Sequence, residues 1–109
     1  MKTIFKVLLC VCALSVSGAA FADCDLDDLV GYTLVAKKTI SGRIDDGKRE
    51  DGYEGCVFGR ILVFSDGTGL ACADYNYSYS YMPSAYVFSN GSSLKVCVED
   101  DLMSVTRIR

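Results

Sequence analysis

Tyrosine recurs at every second position in the stretch Tyr75-Asn-Tyr-Ser-Tyr-Ser-Tyr81, as Tyr75, Tyr77, Tyr79 and Tyr81. Alternation with period two places all four rings on one face of an extended chain and Asn76, Ser78 and Ser80 on the other. Such a row offers stiff, flat contact area with a hydroxyl at each tip, the chemistry of recognition rather than of catalysis. Two placements compete for it. The rings either cover a β-barrel beside Leu62 and Phe64, with their hydroxyls reaching water, or they form a binding face for sugar rings or a protein partner.

The other reactive side chains narrow the chemistry. The chain has no His, which excludes Ser-His-Asp hydrolysis, Cys-His nucleophiles, His-ligated zinc and imidazole pH switching. Asp45, Asp46, Glu50, Asp51 and Glu54 crowd one stretch. Their spacing does not match a calcium-binding loop and Lys48 and Arg49 interrupt it, so a solvated loop is expected and no metal. Neither a Gly-rich phosphate cradle nor a C-x-x-C pair is present, and no cofactor is expected. No catalytic residue is assigned.

Residues 1–22, MKTIFKVLLCVCALSVSGAAFA, have a positive start at Lys2 and Lys6, an apolar run and a small-residue site at Ala20-Phe21-Ala22. This is the pattern of a cleaved signal peptide, bacterial in style. It predicts a mature domain, 23–109, that is periplasmic or secreted and not inserted in a membrane. With Lys2 and Lys6 removed, that domain keeps 9 basic and 14 acidic residues, a net charge of −5. Such a balance disfavours nucleic acid and suits either plain solubility or a basic protein partner.

Four cysteines remain after cleavage: Cys24, Cys56, Cys72 and Cys97. An even number in a short exported chain predicts two disulfides, and a domain this small needs such staples.

The elements that position these residues read as β throughout. Asp25 to Gly31 is expected to form one short helical turn capped by Asp25. Strands are expected over 32–44, 58–64, 69 to about 81, 85–89, 93–98 and 102–108. Asp45 to Gly55 reads as an exposed loop, and Asp66-Gly67 and Asn90-Gly91 as hairpin turns. With Asn90-Gly91 and Asp100-Asp101 as turns, Val87 faces Leu94, Ala85 faces Val96, Val98 faces Met103 and Val96 faces Val105. One face then holds Ala85, Val87, Leu94, Val96, Val98, Met103 and Val105.

The expected architecture is all-β: a small six-stranded antiparallel meander closing into an SH3-like barrel or compact sandwich, with one N-terminal helical turn. In that meander Cys72 lies opposite Ile61. Cys56 is then five positions out of step with it, about 17 Å away, beyond the reach of a bridge. The expected pairs are therefore Cys24–Cys72 and Cys56–Cys97. Function is expected to be non-enzymatic binding to a protein or glycan of the cell envelope, by a monomer or an edge-paired dimer. The alternatives are an inhibitor or immunity protein against a basic envelope hydrolase or toxin and, third, a small carboxylate-dependent hydrolase.

Overall fold

The computed structural model describes residues 24–108. The expected signal peptide, 1–22, lies outside the described residues. Asp25 caps a single 3-10 turn, Leu26–Leu29, by accepting from the Asp27 amide at 3.0 Å. Seven strands follow: β1 Thr33–Asp45, β2 Lys48–Asp51, β3 Ile61–Phe64, β4 Gly69–Cys72, β5 Ser84–Ser89, β6 Leu94–Val98 and β7 Asp101–Arg107. Six of them close an antiparallel barrel in the order β1-β3-β4-β7-β6-β5, with β5 returning to β1; β2 is an extra strand on the free edge of β1.

The all-β, six-stranded barrel is as the sequence predicts. β1 makes closure possible because it is long enough to serve several neighbours. Its residues 33–39 pair with β5, 40–44 with β3 and 42–45 with β2, with register shifts at Leu34/Ala36 and Ile40/Gly42. Such irregularities bend a strand and let it pass around a corner. At one connection the order departs from next-neighbour pairing. β4 pairs with β7 and β5 with β1, so residues 73–83 must cross the open end of the barrel. This segment is called the strap below.

The predicted interior face is buried throughout: Ala85, Val87, Leu94, Val96, Val98, Met103 and Val105, joined by Ile40, Leu62, Phe64 and Cys72. The partners along it differ. Val87 faces Val96, Ala85 faces Val98, Val96 faces Met103 and Leu94 faces Val105. The β5–β6 loop takes four residues, Asn90 to Ser93, with the Asn90 side chain accepting from the Ser92 and Ser93 amides. The β6–β7 turn is Glu99-Asp100, one residue earlier than expected. Each ladder slips by two residues, which preserves the face because side chains alternate with period two.

Three expectations are corrected. Asp45 to Gly55 is a loop only from 52 onward: Asp46-Gly47 is itself an Asp-Gly hairpin turn that joins β1 to β2. The third strand ends at Cys72, not near Tyr81. The disulfides are Cys24–Cys97 and Cys56–Cys72, with Cα atoms 6.1 and 5.6 Å apart.

The physical reason for the second bridge lies in two turns. Cys56 does not begin a straight strand, because Val57 to Arg60 folds back in a tight turn closed by the Arg60 amide on the Val57 carbonyl. The β3–β4 hairpin has a three-residue loop, 65–67, ending on Gly67 at φ 90°, a left-handed conformation that glycine adopts without strain. That odd loop pairs Ile61 with Ala71 and turns Cys72 inward, to 2% exposure. The Gly59 and Cys72 amides then bond to the Cys72 and Arg60 carbonyls, which brings Cys56 against β4. The first bridge ties the N-terminal turn to the outside of β6, where Lys95 donates to the Asp28 carbonyl at 2.9 Å.

Candidate functional site

The strap is held by its own backbone against the segment that follows β2. The Cys56 amide donates to the Asn76 carbonyl at 2.7 Å and the Asn76 amide returns to the Cys56 carbonyl at 2.9 Å. The Ser80 amide reaches the Tyr53 carbonyl and the Ser80 hydroxyl donates to Glu99 at 3.0 Å. At its two feet, Asp74 accepts from the Tyr75 and Ser104 amides, and the Pro83 carbonyl accepts from Ile40. Gly55 permits this approach. Its φ is +82°, and a Cβ there would collide with the Asn76 carbonyl oxygen.

Alternation along the strap then sorts the side chains as the sequence predicts. Asn76, Ser78 and Ser80 are half-buried. Tyr75, Tyr77, Tyr79 and Tyr81 point outward at 73, 80, 73 and 84% exposure. Among the described residues, none of the four hydroxyls has a hydrogen-bond partner and no cation lies over any of the four rings. They therefore do not cover the barrel beside Leu62 and Phe64. The sequence does not reveal the tyrosine that does pack inside: Tyr53, wholly buried beneath the strap, with its hydroxyl 3.6 Å from the Met103 sulfur. Burial pushes the Tyr53 hydroxyl well above its ordinary pKa, and the nearby Asp101 and Glu99 charges act in the same direction. The only clue in the sequence is a lone aromatic inside an otherwise charged stretch.

Two arginines, also unforeseen, fasten the segment on which the strap lies. Arg43 is nearly buried. It donates to the Asp51 and Gly52 carbonyls at 2.8 and 3.2 Å and pairs with Glu50 at 2.9 Å and Glu54 at 3.4 Å. Arg60 binds Asp45 through two nitrogens, at 2.8 and 3.1 Å, and donates to the Glu54 and Gly55 carbonyls. Asp51 pairs with Arg49. Four of the five clustered carboxylates thus serve arginine, and among the described residues no group of His, Cys, Asp or Glu converges as a metal site. Arg43 Nε and Asn76 Oδ1 are buried without a hydrogen-bond partner among the described residues, Arg43 Nε lying 3.9 Å from the Asp45 carboxylate.

Beside Tyr75 and Tyr77 the surface dips into an open groove of about 410 Å³, whose other walls are Glu54, Val57, Asn76 and Arg60. A second hollow on the far side of Val57 is lined by Asp45, Asp46 and the exposed Phe58. Charge is distributed unevenly between the barrel's ends. The strap end carries nine carboxylates: the five from Asp45 to Glu54, then Asp74, Glu99, Asp100 and Asp101. Against them stand four cations, Arg43, Lys48, Arg49 and Arg60. The other described charges, on the opposite end and the N-terminal turn, balance at four acids and four bases. Asp46, Asp74, Glu99, Asp100 and Asp101 are in no ion pair among the described residues.

Comparison with protein-family models, with curated proteins and with solved structures finds no match for this chain in any of the three. Function rests on the geometry alone.

Proposed function

We propose that this protein is an exported, non-enzymatic binding module of the cell envelope, periplasmic or secreted, that presents the strap tyrosines to a partner. The observation that carries this reading is the row itself: four neighbouring rings exposed to water on a backbone pinned from beneath. Such rings add little to the core, and a contiguous exposed aromatic patch on a small domain is the usual mark of an interaction surface. Pinning also lowers the entropy lost on binding, since the strap has little freedom left to surrender. Two disulfides, and no described helix long and apolar enough to cross a membrane, fit an oxidising location outside the cytoplasm.

The acidic strap end favours a more specific second reading, that of an inhibitor or immunity protein placed against a basic envelope hydrolase or toxin. A carboxylate-dependent hydrolase has less support, because the clustered acids are mostly tied to arginine.

The test is the double variant Tyr77→Ser/Tyr79→Ser. Its stability to denaturant is expected to stay within about 0.5 kcal/mol of the parent, as for surface positions generally. Its retention on immobilised envelope fractions, protein or peptidoglycan, is expected to be lost. A fall of about 2 kcal/mol or more would mean that the rings pack after all. Undiminished retention would mean that binding lies elsewhere.

A further inference from the structure

We infer that the strap receives a cationic polypeptide: an extended Lys- or Arg-rich segment of a protein partner, its cations lying over the tyrosine faces and one side chain seated in the groove between Tyr75, Tyr77 and Val57. This rests on the binding reading above and names the partner's chemistry.

Three observations converge. First, the molecule supplies its own comparison. Elsewhere on the barrel, Lys95 lies 4.9 Å from the Tyr32 ring centre, Lys37 lies 5.5 Å from Tyr86 and Lys38 lies 5.8 Å from Phe64. Aromatic faces attract cations because the ring's quadrupole places negative charge above its plane. There the attraction is met internally, whereas no cation of the described residues lies over the four strap rings. Second, the surrounding charge selects the sign of the guest. Asp74 stands at one foot of the strap, and Glu99, bonded to Ser80, at the other; neither has a cation. Arg60 lines the groove but is occupied by Asp45, and Glu54, which also lines it, is still partly exposed beside Arg43. Third, the spacing suits a polypeptide. Alternate residues of an extended chain recur about every 7 Å, the repeat of the tyrosines themselves, so a partner in the same conformation matches ring for cation along the row.

The chain contains no Trp, so its intrinsic emission reports tyrosine alone. The full exported protein, both disulfides formed, is titrated with oligoarginine, with oligoglutamate of equal length and with an N-acetylglucosamine oligosaccharide, by tyrosine emission and calorimetry. Oligoarginine is expected to saturate the protein with an affinity that falls as salt rises, while oligoglutamate does not bind. Tyr77→Ser/Tyr79→Ser is expected to weaken it at least about tenfold. Tyr77→Phe/Tyr79→Phe, which keeps the ring faces and removes the hydroxyls, is expected to stay within about threefold. Oligoarginine binding that survives the serine variant would be adsorption to charge and would overturn the inference. A tighter, salt-indifferent complex with the oligosaccharide, lost in the serine variant, would also overturn it, yet would leave the row a recognition surface. If no probe binds, both readings fail.

Discussion

The two ends of the barrel are finished differently. At the end formed by the β3–β4 hairpin, Lys38 donates to Asp66 at 2.6 Å and to Thr68 at 3.1 Å while lying near the Phe64 ring. That contact, with help from Thr68, holds the Asp66 carboxyl well below the usual carboxylate range. Lys95 has the Asp28 carbonyl and the Tyr32 ring. Cation, anion and ring satisfy one another locally. At the strap end the backbone is equally well bonded, but rings and carboxylates face water in excess of the cations that could meet them. The contrast separates structure from function. Both ends are tied down, and the row of uncovered tyrosine rings lies at only one.

Removing the staples probes the contrast most strongly. Cys24–Cys97 spans 73 residues and Cys56–Cys72 spans 16. Chain-entropy reasoning gives about 4 kcal/mol for the first and about 3 for the second, each tested by a paired Cys→Ser variant in denaturant titrations. The local consequences should reverse that order. Without Cys56–Cys72, amide exchange along the strap is expected to accelerate ahead of the rest of the barrel, whereas without Cys24–Cys97 it is the N-terminal turn that loosens. Equal exchange at the two ends in both variants would remove the distinction drawn here.

Next in size is Tyr53→Ala. This side chain fills the barrel mouth under the strap, with no exposure. Deleting it should cost about 3 kcal/mol or more, the usual toll for a buried aromatic. A loss below about 1 kcal/mol would show that the strap closes this end without a plug.

Tyr53 also marks where sequence reasoning stops. Most strand positions, the interior face of β5, β6 and β7, the Asp25 cap and the alternation of the strap are legible, because each follows from a local period or a turn residue; β2 and the early end of β4 are not. The identities of the disulfide pairs are not. They depend on a three-residue loop at 65–67 and a fold-back at 57–60, and one residue more or less in a hairpin reverses which side chains point inward. The crossing of residues 73–83 is equally hidden. Tyrosine alternation reads the same in a barrel strand and in a strap, and only the non-local pairing of β4 with β7 decides between them. Arg43 and Arg60 fall in expected strands and carry no signal of their own until the β1–β2 hairpin brings the carbonyls of 51–55 within their reach.

Alkaline pH offers the smallest and most selective test. A buried, neutral tyrosine whose pKa is raised on folding contributes stability that is fully present below its unfolded value, about 10. As pH climbs above that value the unfolded chain ionises Tyr53 and the folded chain does not, so the contribution drains away until the raised folded value is passed. Stability in denaturant should therefore fall from about pH 10 upward, toward the raised folded value. Tyr53→Phe keeps the ring and removes the titrating group. At neutral pH it should cost no more than about 1 kcal/mol, since the hydroxyl meets only the Met103 sulfur. Above pH 10 its stability should fall less steeply than the parent's. Parallel slopes would place the alkaline weakness outside the strap end, in charge repulsion spread over the acidic surface.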